Sequence, residues 1–93
     1  EEENLPSGFL LLDNYPNPFN PETNIRIELS KTLDAAVSIF DMKGSLIEEF
    51  PNGRLQPGLH EFKWNAEGLP SGTYVCRVVT DEGIAVRKIL LVR

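Results

Sequence analysis

His60 and Cys76 are the only histidine and the only cysteine of this chain. A thiol beside an imidazole is the smallest constellation of nucleophilic catalysis, because the base draws off the proton and leaves a thiolate. Alternation places His60 on one face with Phe62 and Trp64, and Cys76 on one face with Tyr74 and Val78. The dyad forms only if their two strands are neighbours. A nucleophile of this kind also needs converging donors for an oxyanion, and no segment supplies them. A lone cysteine among apolar neighbours reads as a small core residue. The glycines are scattered through turn positions, so no phosphate-binding loop is present. The expectation is a chain with no catalytic residue.

Oxygen ligands gather at one place. Asp13, Asn14, Asn17, Asn20 and Glu22 crowd a proline-rich stretch, and such groups suit a calcium ion. Their acidic members sit only at the ends, whereas strong sites converge several carboxylates. The simpler reading has the Asn side chains bonding the loop's own backbone, with no metal and no cofactor. The eight aromatic residues offer a third chemistry, stacking on a sugar. Phe62, Trp64 and Tyr74 alternate inward, and Tyr15 and Phe19 read as anchors that pin the loop to the core. Phe9, Phe40 and Phe50 remain as candidate exposed rings for a glycan.

The elements that must hold these residues are strands. Ile25, Ile27 and Leu29 alternate with Arg26, Glu28 and Ser30, the pattern of a half-buried strand. Val37 and Ile39 continue the alternation, as do Phe62 and Trp64. Tyr74 to Val79 is apolar on both faces apart from Arg77, which places it centrally in a sheet. The tail from Ile84 to Val92 is strand-like with an ambiguous inward face. Turn signals separate the runs: Asp41-Met42-Lys43-Gly44, Asn52-Gly53, Pro57-Gly58, Pro70-Ser71-Gly72 and Asp81-Glu82-Gly83. Asn52-Gly53 supplies residues that accept positive φ. Turns about every 8–12 residues predict an all-β, Ig-like β-sandwich of about seven antiparallel strands.

One segment does not alternate. Tyr15-Pro16-Asn17-Pro18-Phe19-Asn20-Pro21 carries three prolines in six residues, which fix φ and remove three N–H donors. It predicts a stiff cap over one end of the sandwich, leading into the strand at Thr23.

Composition bounds the rest. Ninety-three residues with 41% hydrophobic and 25% charged residues make one small globular domain. A domain of this size buries only roughly 60–65% of its unfolded surface and has little stability to spare for a deep cleft. The net charge of −5 argues against nucleic acid as a partner. Glu1 to Glu3 account for most of it, since 11 acids against 9 bases remain without them. Residues 1–9 read as an acidic leader and 10–93 as the domain. No apolar run approaches the roughly 20 residues of a membrane-spanning helix, and no signal peptide is visible. A single cysteine leaves the compartment open.

The ordered set of motifs resembles a known family. Asn14-Tyr15-Pro16-Asn17-Pro18-Phe19-Asn20-Pro21-Glu22-Thr23 precedes the alternating Ile25, Ile27 and Leu29. Ile39-Phe40-Asp41-Met42-Lys43-Gly44, Pro57-Gly58-Leu59-His60 and Leu69-Pro70-Ser71-Gly72-Thr73-Tyr74 follow. The end is Lys88-Ile89-Leu90-Leu91-Val92-Arg93. Together these resemble the type A C-terminal sorting domain of the type IX secretion system, and the similar Ig-like module named after the flagellar hook-capping protein. The resemblance implies a non-catalytic signal that directs an upstream cargo domain from the periplasm across the outer membrane to the cell surface. It implies an outer-membrane translocon and a sortase-like cysteine peptidase as partners. By position it marks Tyr15 to Pro21, Gly58, Pro70, Ser71, Gly72 and Tyr74 as motif residues. It makes Lys88, Ile89, Leu90, Leu91, Val92 and Arg93 the candidate partner-recognition strand, whose free end could add to a partner's sheet. The polar stretch Glu1 to Ser7 is the expected cleavage site, if the domain is removed. The alternative is a passive spacer or carbohydrate-binding module of an extracellular hydrolase.

Overall fold

β-Branched and aromatic residues alternating with polar ones fold here into eight strands, with no helix among the described residues. The computed structural model describes residues 8–93, so the acidic stretch expected as a cleavage site lies outside the described residues. The strands are β1 (Phe9–Leu11), β2 (Glu22–Leu29), β3 (Leu33–Asp41), β4 (Leu46–Glu49), β5 (Gly53–Leu55), β6 (Gly58–Asn65), β7 (Gly72–Thr80) and β8 (Gly83–Leu91). One antiparallel sheet runs β1-β2-β6. The other runs β4-β3-β7-β8, with β5 pairing the same edge of β3 beyond β4. The expected all-β sandwich is present. Its count exceeds the expected seven because β1 and β5 have three residues each, too few to show a period.

The two sheets pack through their inner faces. Ile25, Ile27 and Leu29 of β2 and Trp64 of β6 meet Val37 and Ile39 of β3, Cys76 and Val78 of β7, and Ile89 and Leu91 of β8. As expected, β7 is central, hydrogen-bonded to β3 and β8. Pairing with β7 also settles the ambiguous tail. Tyr74 opposes Ile89 and Cys76 opposes Arg87, so the odd-numbered residues of β8 face inward. Ile84, Val86, Lys88 and Leu90 face solvent.

The turns follow their chemistry, with one correction. Asp41 Oδ1 accepts from the backbone N–H groups of Lys43 and Ser45, closing the β3–β4 turn, with Gly44 at φ 91°. Asn52-Gly53 does not use positive φ. Gly53 instead opens β5 in extended geometry against Ala35, because the connection from β4 leads along the same edge of β3 rather than folding back.

Candidate functional site

Three motifs far apart in sequence meet at one end of the sandwich. The proline loop, Tyr15 to Pro21, crosses this end between β1 and β2. Its Tyr15-Pro16, Asn17-Pro18 and Asn20-Pro21 bonds are cis. Phe19 is the loop's anchor, 2% exposed, with its ring 5.5 Å from that of Trp64. Trp64 in turn lies edge-on to Tyr74 at 5.6 Å. The Tyr74 hydroxyl donates to Pro70 O at 2.7 Å, which ties the Pro70-Ser71-Gly72 turn to the same cluster. Each buried ring therefore belongs to a different segment, and tilted aromatic packing joins them.

The loop is also fixed by its own polar groups. Asn14 Nδ2 donates to Pro16 O and to Thr23 Oγ1, and Thr23 Oγ1 donates to Pro16 O. Both side chains are buried. Prolines remove donors from this stretch, so its carbonyls draw on side chains instead. Asn14 thus bonds the loop's own backbone, as the simpler reading expected of it. Asp13 meanwhile pairs with Arg87, which also donates to Leu11 O. Glu22 lies near Lys63 and Asn65. These partners take the acidic groups in different directions.

Tyr15 does not behave as expected. It is 68% exposed, the reverse of a core anchor. Its backbone holds the loop in place by exchanging two hydrogen bonds with Asn24. The ring is left free because the bridge to Asn24 turns it outward while Phe19 alone reaches Trp64.

The tail strand is clamped from both sides. β8 pairs with β7 along its whole length. On its other edge Phe19 N donates to Leu90 O at 3.1 Å and Val92 N donates to Phe19 O at 3.0 Å. The last strand therefore does not end free: at its end the proline loop takes Leu90 O and the Val92 N–H, groups that an added strand would use there. Arg93 closes the arrangement, its N–H donating to Ser71 Oγ and its guanidinium to Leu69 O. Ile89 and Leu91 are core residues. What remains open to a partner is a shallow groove lined by Asn17, Pro18, Thr73, Lys88 and Leu90. Thr73 and Leu69 escaped the sequence reading; the only signal for them is their place within the Leu69 to Tyr74 motif. Gly58 is not brought to this end. It sits at φ 125° at the start of β6, opposite Leu29, while Trp64 occupies the far end of that strand.

The other chemical candidates separate. His60 lies on β6 in one sheet, its Nε2 2.6 Å from Gln56 O, and Cys76 lies on β7 in the other. Burial pushes the Cys76 thiol up to about 12, so it is a neutral core group. The expected exposed rings are also corrected. Phe9 faces the core at 6% exposed. Phe50 packs on Phe62, and Phe40 lies beneath the guanidinium of Arg77 at 5.0 Å. Each has found an apolar or cationic neighbour, which leaves Phe40 and Phe50 half-buried.

The geometry matches known proteins. A family model described as the secretion system C-terminal sorting domain covers residues 13–92. No curated protein matches. Among solved structures, the chain is similar to a crystal structure of dimeric latent PorU from Porphyromonas gingivalis. The TM-score is 0.69 at 22% identity, over 86% of this chain and 9% of that one. This chain therefore corresponds to about a tenth of that protein, and the likeness is one of fold.

Proposed function

Because the chain belongs to the family of secretion system C-terminal sorting domains, we propose that the clamped end of its sandwich is the address read during export. A sorting domain of this family is a signal for surface-directed secretion and not a catalyst. The finer reading concerns how the signal is presented. The observation that carries it is the convergence of the proline loop, the Leu69-to-Tyr74 turn and the tail on one groove. Motifs kept far apart in sequence but assembled at one end suit recognition of a folded domain. The reading partner is an outer-membrane translocon, and a sortase-like peptidase acts afterwards.

Within that groove Lys88 supplies charge and Leu90 supplies apolar contact. Asn17 and Pro18 supply a rigid rim, which lowers the ordering cost of docking. Lys88 to Arg93 is thus read through outward side chains rather than by strand addition at its end. The cargo precedes the domain in the same chain, and its route runs through the periplasm to the cell surface. Cleavage falls in the polar stretch Glu1 to Ser7, ahead of the sandwich, whose first strand begins at Phe9.

The test is export of a periplasm-targeted fluorescent protein fused ahead of residues 1–93, in a host with this secretion system. Deleting Lys88 to Arg93 is a poor variant, because it also removes Ile89 and Leu91 from the core. Lys88→Glu combined with Leu90→Ser changes only outward-facing residues. Surface fluorescence should fall at least tenfold while the melting temperature stays within a few degrees, as for surface substitutions. Normal export of this folded variant would overturn the assignment of the groove. Mass spectrometry of the surface product tests the cleavage: retention of the intact domain would rule it out.

A further inference from the structure

The sandwich closes along one side and stays open along the other. On the closed side β1 and β8 are joined by Arg87, which reaches Asp13 and Leu11 O. On the open side β6 pairs with β2 only, and no strand among the described residues lies against its second edge. Eight residues, Gly58–Asn65, therefore present a row of unpaired N–H and C=O groups. β1 and β5 are three-residue edges and β4 has four residues, while the outer side of β8 is flanked by β1 and bonded at its end by Phe19.

The side chains of β6 are patterned in a way that selects a partner. Leu59, Glu61, Lys63 and Asn65 face solvent, while His60, Phe62 and Trp64 face inward. We infer that β6 pairs with β6 of a second copy of this chain, antiparallel about a two-fold axis at Phe62. In that register Glu61 opposes Lys63 of the other copy, twice by symmetry. Leu59 opposes Asn65, and the two half-buried Phe62 rings meet at the axis. Shifting by two residues one way sets Glu61 against Glu61, and the other way sets Lys63 against Lys63. Like charges directly opposite on paired strands are destabilising. A one-residue shift would oppose the solvent face of one strand to the core face of the other, which the pleat forbids. The charges that guard this edge against general aggregation thus favour this register over its two neighbours. The result is a continuous six-stranded sheet, β1-β2-β6 followed by the same three strands in reverse order.

A single strand edge buries less than the roughly 1,200 Å² at which standard interfaces begin, so the dimer is weak and concentration-dependent. This suits a module brought to high local density at a surface, and it uses an edge separate from the groove at Lys88.

Sedimentation equilibrium of the 93-residue chain at low salt, from about 20 μM to about 2 mM, tests the pairing. The wild type should show a monomer–dimer equilibrium. Glu61→Lys and Lys63→Glu, each alone, create two like-charge pairs and should weaken it roughly tenfold. The double variant should recover it. Mixing the two single variants should give a heterodimer tighter than either homodimer, since every facing pair is then opposite in sign. Amide chemical shifts should move with concentration in Gly58–Asn65 and not in β8. A wild type that stays monomeric throughout, or a dimer indifferent to these exchanges, would overturn the inference. Melting curves of all variants confirm that each species compared is folded.

Discussion

Cys76 shows how a reactive residue becomes a structural one. It sits at 1% exposure between the sheets, and burial pushes its thiol from 9.0 up to about 12. The folded state therefore holds the proton where the unfolded chain has begun to lose it. Stability from this group is complete below about pH 9 and is lost as pH rises towards 12. Urea titrations at pH 8 and pH 11 should show a loss that shrinks in Cys76→Ala. The native thiol should also resist alkylation at pH 8 and react on unfolding. Tyr74 contributes differently, through one hydrogen bond to Pro70 O. Tyr74→Phe keeps the ring beside Trp64 and should cost about 0.5–1.5 kcal/mol by denaturant melts. Residue type gave Cys76 away, because thiols among alternating apolar residues are core groups. It misjudged Tyr15, because an aromatic next to proline reads the same whether it faces in or out.

At the level of elements, the proline loop and β8 form one unit. Phe19 links them by two backbone hydrogen bonds, and its ring is buried in the same core as Leu91. Phe19→Ala should cost about 3–5 kcal/mol, as for other buried aromatic truncations. The exchange of the Phe19 and Val92 amide protons should then accelerate together, measured by hydrogen–deuterium exchange. Acceleration of only one would mean that loop and tail are not coupled. Strands β2, β3, β6 and β7 were legible from the period of their side chains. The closure of β8 by Phe19 was not, because that contact joins residues 72 positions apart with no matching pattern.

The whole molecule leaves little room for the competing activities. Phe9, Phe40 and Phe50 are occupied by neighbours, so the domain should pass through an insoluble polysaccharide column in the void volume. Retention would point instead to the exposed Tyr15 ring or to half-buried Phe40. The charge is distributed with the same economy. Among the described residues the ion pairs Arg54–Asp34, Lys31–Glu82 and Lys63–Glu22 lie on the surface, where each contributes little. Stability rests on the apolar layer between the sheets.

The sequence by itself determined the class of fold, the central place of β7, the turn at Asp41 and the family. These depend on local period and on residues that neighbours in the chain decide, such as Asp before a tight turn or proline in a stiff loop. Only the tertiary structure decided that β8 is clamped, that Tyr15 is exposed, that the motifs share one groove and that β6 has an open edge. Each of these depends on which distant backbone groups satisfy one another. Hydrogen-bond pairing across a sandwich is fixed by the packing of two sheets, and no local stretch of sequence contains both partners.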